Sequence, residues 1–302
     1  MKRDLLSIAD LSAEDIWRLI RRAVTLKSRR VSQELYGRNM ALLFQKPSLR
    51  TNVSFQVAMN QLGGHAIYLS PSQVGLGSRE PAADVARVLS RYVDVVVART
   101  YSQALVEELA ENADIPVVNG LSDQEHPCQA LADLLTIHEK RGELGGIIVA
   151  YVGDANNVAN SLLLAAATVG MEFRLATPPG YQPQKDILQE AEARAKARGS
   201  PIIVTHEPAV AVSGAHVVYT DVWTSMGREA EQERRRQDFA AFQITPRLFA
   251  QAPGALLMHP MPIHWGEELA EELRETAQSV ILDQAENRLH IQKAVLLDLL
   301  GL

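Results

Sequence analysis

Ala41-Leu42-Leu43-Phe44-Gln45-Lys46-Pro47-Ser48-Leu49-Arg50-Thr51-Asn52-Val53-Ser54-Phe55 joins a strand-like apolar run to a helix start through a proline. Ala41–Phe44 is short and wholly apolar, the pattern of a strand covered on both faces. From Val53 the apolar residues recur at helical spacing through Phe55, Val57, Ala58, Met59 and Leu62. A helix start presents unpaired N–H groups and the positive end of the helix dipole, so an anion can sit there. Ser48 and Thr51 add hydroxyl donors, and Arg50 adds a fork matched to phosphate oxygens. Locally two readings stay open: an anion cradle, or an ordinary helix cap with Arg50 in solvent.

The alternation begun here runs along the chain. Strands are expected at Ala41–Phe44, Ala66–Leu69, Val93–Ala98, Val117–Asn119, Ile147–Gly153, Glu172–Ala176, Ile202–Thr205, Val217–Asp221, Leu256–Met258 and Val280–Leu282. Helical patterns fall between most of them, among them Thr51–Leu62, Ala82–Arg91, Gln129–Lys140, Val158–Val169 and Lys185–Arg198. The expected class is α/β, as two doubly wound parallel-sheet domains, because ten strands in one sheet would be unusual. The glycine-containing polar stretch Lys140–Gly146 is the expected divide. A last helix, Gln292–Leu302, returns after the final strand, and Arg234-Arg235-Arg236 reads as the exposed face of a helix.

Composition narrows the function. A 302-residue chain that is 47% hydrophobic and 22% charged is long enough for two cores. Its net charge of −6 argues against a general nucleic-acid binder. The single cysteine, Cys128, excludes an internal disulfide framework and a multi-cysteine metal site. Met1-Lys2-Arg3-Asp4 leads into helical sequence rather than an apolar signal core, and no segment reaches the ~20 apolar residues that span a bilayer. The expected location is the cytoplasm, with no membrane and no nucleic-acid partner.

Four further clusters lie near the C-terminal ends of expected strands, where open α/β sheets place ligands. Arg99-Thr100 closes one strand. His126-Pro127-Cys128-Gln129 opens a helix, with His126 and Gln129 on one side of a turn; capping is the alternative, and Cys128 reads equally as core. Gly153-Asp154-Ala155-Asn156-Asn157 is a strand–turn–helix join without the glycines of a dinucleotide fingerprint. Its asparagines either read a polar ligand or cap the helix. Asp221-Val222-Trp223-Thr224-Ser225-Met226-Gly227 sets a carboxylate suited to an ammonium group beside hydroxyls, and His259-Pro260-Met261-Pro262 is a turn stiffened by proline.

In order and spacing these clusters resemble the aspartate/ornithine carbamoyltransferase family, and within it the ornithine branch. Phe44–Phe55 is similar to the family's Ser-Thr-Arg-Thr-Arg phosphate loop. His126–Gln129 matches His-Pro-x-Gln, Asp221–Gly227 matches Asp-x-Trp-x-Ser-Met-Gly, and Ala285-Glu286-Asn287-Arg288 matches the late arginine motif. The resemblance implies transfer of a carbamoyl group from carbamoyl phosphate to the side-chain amine of ornithine, giving citrulline and phosphate, with no metal or organic cofactor. It implies that Arg50, Arg99, His126, Asp221 and Arg288 are catalytic. Ser48, Leu49, Thr51, Gln129, Pro260 and Met261, with Arg50, Arg99, His126 and Arg288, would bind carbamoyl phosphate. Asn157, Asp221, Ser225 and Met226 would bind ornithine. The implied architecture is a carbamoyl-phosphate domain (1–140, completed by the C-terminal helix 286–302), an amino-acid domain (141–285) and an active-site cleft between them. A homotrimer or a multiple of trimers is implied as well, in which the Gly75–Pro81 loop reaches a neighbouring subunit.

Three positions depart from the family pattern. Leu49 replaces a threonine but keeps the backbone N–H that faces phosphate. Asn52 replaces a second arginine. Pro260 stands where the ornithine branch has a cysteine that contacts ornithine, and His-Pro-x-Pro is what the aspartate branch shows. The aspartate branch, however, places an arginine where this chain has Asn156-Asn157, so a cationic amine fits better than aspartate. The alternatives are a carbamoyltransferase for another amine or for aspartate, and a binding paralogue that has lost the chemistry. A nicotinamide-dependent oxidoreductase would rest on the Gly153-Asp154 turn alone.

Overall fold

The computed structural model describes residues 2–302 apart from Gly77, Ser78 and Met226. The chain divides into two compact units, Met1–Leu135 with Asn287–Leu302, and Thr136–Glu286. Both divisions fall inside helices, Pro127–Arg141 and Ile281–Leu299.

Each unit is built on a parallel sheet. In the first unit β1 (Asn39–Phe44), β2 (His65–Leu69), β3 (Val95–Arg99) and β4 (Val117–Leu121) lie in the order β2-β1-β3-β4. In the second, β5 (Ile148–Val152), β6 (Glu172–Ala176), β7 (Ile202–Thr205), β8 (Val217–Tyr219) and β9 (Leu256–Met258) lie in the order β7-β6-β5-β8-β9. Every pairing between these strands is parallel. Helices on both faces bury the central strands, and β3 is buried at every position, which is why their sequences run apolar without alternation.

The strand order reverses once in each sheet, between β1 and β3 and between β5 and β8. At such a point the loops leaving the two strands diverge and open a crevice at the C-terminal edge. The first crevice is bounded by Phe44 and Arg99, which are register partners, and Gln45 N–H donates to the Arg99 carbonyl at 2.8 Å. The second is bounded by the loops after Val152 and Tyr219. There Gly153 adopts φ +145°, a region few L side chains enter, and the Thr220 hydroxyl donates to the Val152 carbonyl at 2.6 Å.

Nine of the ten expected strands form. Val280–Leu282 does not. Ser279 makes a single bridge to Leu257, Val280 N–H donates to the Leu257 carbonyl, and Gln284 N–H then turns back to the Val280 carbonyl. The chain therefore enters a helix at Ile281, well before the expected Gln292, and that helix continues to Leu299. A short apolar run is compatible with either state, and here the polar residues Asp283, Gln284 and Glu286 continue it at helical spacing. Among the described residues no helix is long and apolar enough to cross a membrane.

Candidate active site

At the β1/β3 crevice the Leu49–Gln61 helix begins one residue after Pro47-Ser48. Ser48 is its N-cap, with the hydroxyl accepting from Thr51 N–H at 3.3 Å. Proline before the cap holds the entering chain extended, and Asn52 N–H donates to the Ser48 carbonyl at 3.2 Å, so the helix starts at the C-terminal edge of the sheet. The cap reading is therefore the one the structure shows at this helix start. Thr51 is fully buried, and its Oγ1 accepts from Arg288 Nη2 at 2.7 Å. That bond fixes the late arginine beside the helix start and leaves the Thr51 hydroxyl proton available to a ligand.

Arg99 and His126, 7% and 4% exposed, complete this cluster. Burial, then the Arg288 and Arg50 guanidiniums, pulls the Arg99 pKa down to about 10, still well above neutral pH. Among the described residues no ion pair neutralises Arg99, and its buried Nε has no hydrogen-bond partner. Burial, then Arg288, Arg99 and Arg50, pushes His126 well below its ordinary value of 6.5. The ring therefore stays neutral at pH 7 and offers an N–H without a charge, so the cationic donors here are arginines. Gln129 is 1% exposed; its Nε2 donates to Asp133 Oδ1 at 2.8 Å, while its Oε1 is buried and has no donor. That oxygen is an acceptor waiting for an N–H. Burial pushes the Cys128 thiol up to about 12, against a smaller opposing effect of Arg288, so Cys128 is an inert core residue.

One neighbouring residue went unmarked in the sequence. Lys46 is 7% exposed and sits over the Tyr101 ring at 4.4 Å. It adds a fourth cation to the loops of this crevice, and its place between Gln45 and Pro47 at the end of β1 was the available signal.

The β5/β8 crevice has the opposite electrostatics. Asp221 is 7% exposed, accepts from Asn156 Nδ2 at 2.8 Å, and accepts at Oδ1 from Val222 N–H at 2.8 Å. Burial raises its pKa; His259, Asn156 and Val222 work against that shift, and Glu268 adds to it. Asn156 does two jobs. Its Oδ1 accepts from Val158 and Ala159 N–H and caps the Asn157–Val169 helix, and its Nδ2 holds Asp221. Asn157 opens that helix half-buried, and Ser225 is half-buried with its carbonyl accepting from Arg228 N–H. Met226 lies outside the described residues.

Pro260 and Met261 belong to this second unit. His259 N–H donates to Gln284 Oε1, and Met261 N–H donates to His259 Nδ1, both at 2.9 Å. Gln284 Nε2 in turn donates to Tyr219 Oη at 3.1 Å. Among the described residues Met261 is the non-glycine residue with positive φ, +60°. Proline at 260 supplies no N–H and the turn is built without one.

The Arg234–Arg236 run corrects the expectation of an exposed face. Arg235 is 1% exposed, donates at 2.8 Å to Asp154 Oδ2, Glu231 Oε2 and the Trp223 carbonyl, and lies over the Tyr181 ring. It ties the Gly153-Asp154 turn to the Trp223–Gly227 segment. Glu231, one helical turn earlier, was legible as an i,i+4 pair; Asp154 was not, because that contact spans the fold.

Fold and site together define a two-sheet parallel α/β protein with a buried arginine cluster at one topological switch point and a buried carboxylate at another. Models of the aspartate/ornithine carbamoyltransferase carbamoyl-P binding domain and Asp/Orn binding domain match residues 3–139 and 145–299. The chain belongs to the aspartate/ornithine carbamoyltransferase family. It is 50% identical over 303 residues to an ornithine carbamoyltransferase of Anoxybacillus flavithermus, covering 99% of this chain and 96% of the relative. The ornithine carbamoyltransferase structure from Pyrococcus furiosus superimposes with a TM-score of 0.97 at 48% identity, covering 99% and 97% of the two chains. An N-acetyl-L-ornithine transcarbamylase variant aligns with a TM-score of 0.91 at 30% identity, covering 98% and 99%.

Proposed function

We propose that the chain transfers the carbamoyl group of carbamoyl phosphate to the side-chain amine of ornithine, giving citrulline and phosphate. The observation that carries the donor half is the arginine cluster: Arg288 is fixed to Thr51 at 2.7 Å, and Arg99 is buried with no ion pair among the described residues. Ser48, Leu49, Arg50 and Thr51 take the phosphate at the helix start. Arg99, His126 and Arg288 face the carbamoyl oxygen, and Gln129 Oε1 accepts from the carbamoyl NH2. In the second unit Asp221, with Asn157, Ser225 and Met226, takes the amino-acid group, while Pro260 and Met261 of the same unit keep their assignment to carbamoyl phosphate. This division assigns residues 1–140 and the returning C-terminal helix to the donor, and 141–285 to the acceptor. The divide near 140 is supported by family models that end at 139 and start at 145, and the return of the last helix by the grouping of Asn287–Leu302 with the first unit, although the Asp/Orn binding model itself runs on to 299.

The chemistry follows from charge. The neutral side-chain amine attacks the carbamoyl carbon; a C–N bond forms, the C–O bond to phosphate breaks, and the nitrogen sheds a proton. Negative charge grows on the carbamoyl oxygen and on the departing phosphate. Preorganised donors aimed at that charge need no rearrangement as it develops. Neutral His126 donates without adding to the repulsion among three arginines. A family homotrimer in the cytoplasm is part of the same reading, and exposed apolar residues of the first unit, Tyr36, Leu49, Val53 and Ile67, are surface that a subunit contact would cover.

The test is product formation from carbamoyl phosphate with a panel of ornithine, N-acetylornithine, putrescine and aspartate, together with molecular mass by light scattering. Citrulline and phosphate in equal amounts, with ornithine the fastest acceptor, is the expected outcome. A folded chain that yields no carbamoylated product, or that prefers another amine, overturns the assignment.

A further inference from the structure

The segment after the His259–Pro262 turn carries a second set of ligating groups that the reaction above does not use. His264 Nδ1 lies 3.9 Å from Glu267 Oε2 and 4.0 Å from Glu268 Oε2, and the three atoms all fall within 4.8 Å of one another. His264 is exposed, Glu267 half-buried and Glu268 fully buried, so the set is reached from solvent on the histidine side and closed on the other.

Glu268 raises this above a chance cluster. Its Oε1 is satisfied twice, accepting from His259 Nε2 at 3.1 Å and from His264 N–H at 2.6 Å. Met261 N–H donates to His259 Nδ1, which assigns the ring proton to Nε2 and makes that ring the donor. Glu268 Oε2 is buried and has no hydrogen-bond partner. An unsatisfied carboxylate oxygen out of water is costly unless a cation or a proton meets it. Glu267 is complementary: Arg236 holds its Oε1 at 3.0 Å from Nε and 2.5 Å from Nη2, which leaves Oε2 as the oxygen near His264.

We propose that His264 Nδ1, Glu267 Oε2 and Glu268 Oε2 form a binding site for a first-row divalent cation of the zinc class. One imidazole and two carboxylates suit zinc, cobalt or nickel, whereas calcium and magnesium take oxygen ligands alone. Bonds of about 2.0–2.2 Å in tetrahedral geometry place ligand atoms roughly 3.4 Å apart, so the two carboxylate oxygens 3.9 and 4.0 Å from His264 Nδ1 close by about half an ångström, and the set, within 4.8 Å overall, by at most about 1.4 Å, with water as fourth ligand. His259 becomes the outer support of Glu268, the arrangement that orients metal-bound carboxylates. The cation pins the chain from His259 to Glu268 and neutralises charge that Arg236 only partly offsets.

Zn2+ uptake by the metal-free full chain, measured by equilibrium dialysis and metal analysis without substrate, tests this independently of transferase activity. One Zn2+ per chain is expected, weakened at least tenfold in His264→Ala and in Glu267→Gln, and unchanged in His65→Ala, which removes an exposed histidine of the other unit. Co2+ is expected to give the visible absorption of a four-coordinate site in the wild type and to lose it in His264→Ala. His264 is exposed, so its removal is expected to leave the circular dichroism and melting of the metal-free chain unchanged. No uptake by the folded wild type, equal uptake by His264→Ala, or a loss that follows His65 instead would overturn the site.

Discussion

Arg99 and Arg235 are both almost fully buried arginines, one in each unit, and their surroundings are opposite. Arg235 has two carboxylates and a carbonyl at 2.8 Å. Burial works against its charge, but Glu231 and Asp154 outweigh burial and hold its pKa above the ordinary guanidinium value. Arg99 has cations for neighbours, and burial with Arg288 and Arg50 pulls it down to about 10. A buried charge that is paired within the chain is satisfied as folded; one without a partner is the candidate to meet a guest. The same contrast separates the two crevices, where one topology gathers buried cations at the first sheet and a buried carboxylate at the second.

Substitutions sharpen that contrast. Removing Arg235 has the largest expected cost to folding: Arg235→Met leaves Asp154 buried without its cation, a loss of about 3–5 kcal/mol, read as a lower denaturation midpoint. Arg99→Met is expected to do the reverse. Stability holds or rises, while turnover falls roughly 100- to 1000-fold, as for loss of one oxyanion donor. If Arg99→Met unfolds the chain while Arg235→Met leaves stability untouched, the distinction between the two arginines is wrong. Asp221→Asn comes next. We expect ornithine kcat/KM to fall roughly 10- to 100-fold, in line with about 1.5–3 kcal/mol for a hydrogen bond to a charged group, while inhibition by inorganic phosphate is unchanged. A parallel loss of phosphate binding would erase the donor–acceptor division.

The smallest effect is in pH. His126 has its folded pKa depressed below 6.5, so below that value the unfolded chain takes a proton that the native ring refuses. Stability from this group is fully present above about pH 6.5 and is lost as pH falls through and below it. The ring resonances of His126 are expected to show no titration near 6.5 by NMR, and His126→Asn is expected to flatten the stability slope between pH 6.5 and the native ring's lower pKa. A midpoint near 6.5 in the native protein would show that the arginines do not reach it.

Much of this was legible in the chain itself, for definite reasons. Ala41–Phe44 and Val95–Ala98 are buried and apolar throughout because both sheet faces are covered, so their strands could be read directly, and Arg99 is the buried polar exception at the end of the second. Ser48 and His126 sit at helix starts, where proline and a cap mark the boundary. Val280–Leu282 misled because three apolar residues fit strand and helix alike, and the bridge to Leu257 that ends the sheet is a long-range contact. Arg235 misled because three consecutive arginines carry no sign of which one turns inward.

The sequence alone determined the local grammar: where strands stop, which helix starts offer N–H groups, and which residue types stand at those ends. Periodicity and capping act over a few residues, so they are written in consecutive letters. Only the tertiary structure decided partnership. Arg288 reaches Thr51 across 237 positions, Arg235 reaches Asp154 across 81, and Asn156 reaches Asp221 across 65. Which buried charges are neutralised and which remain poised depends on strand order, and strand order brings together side chains that no local pattern connects.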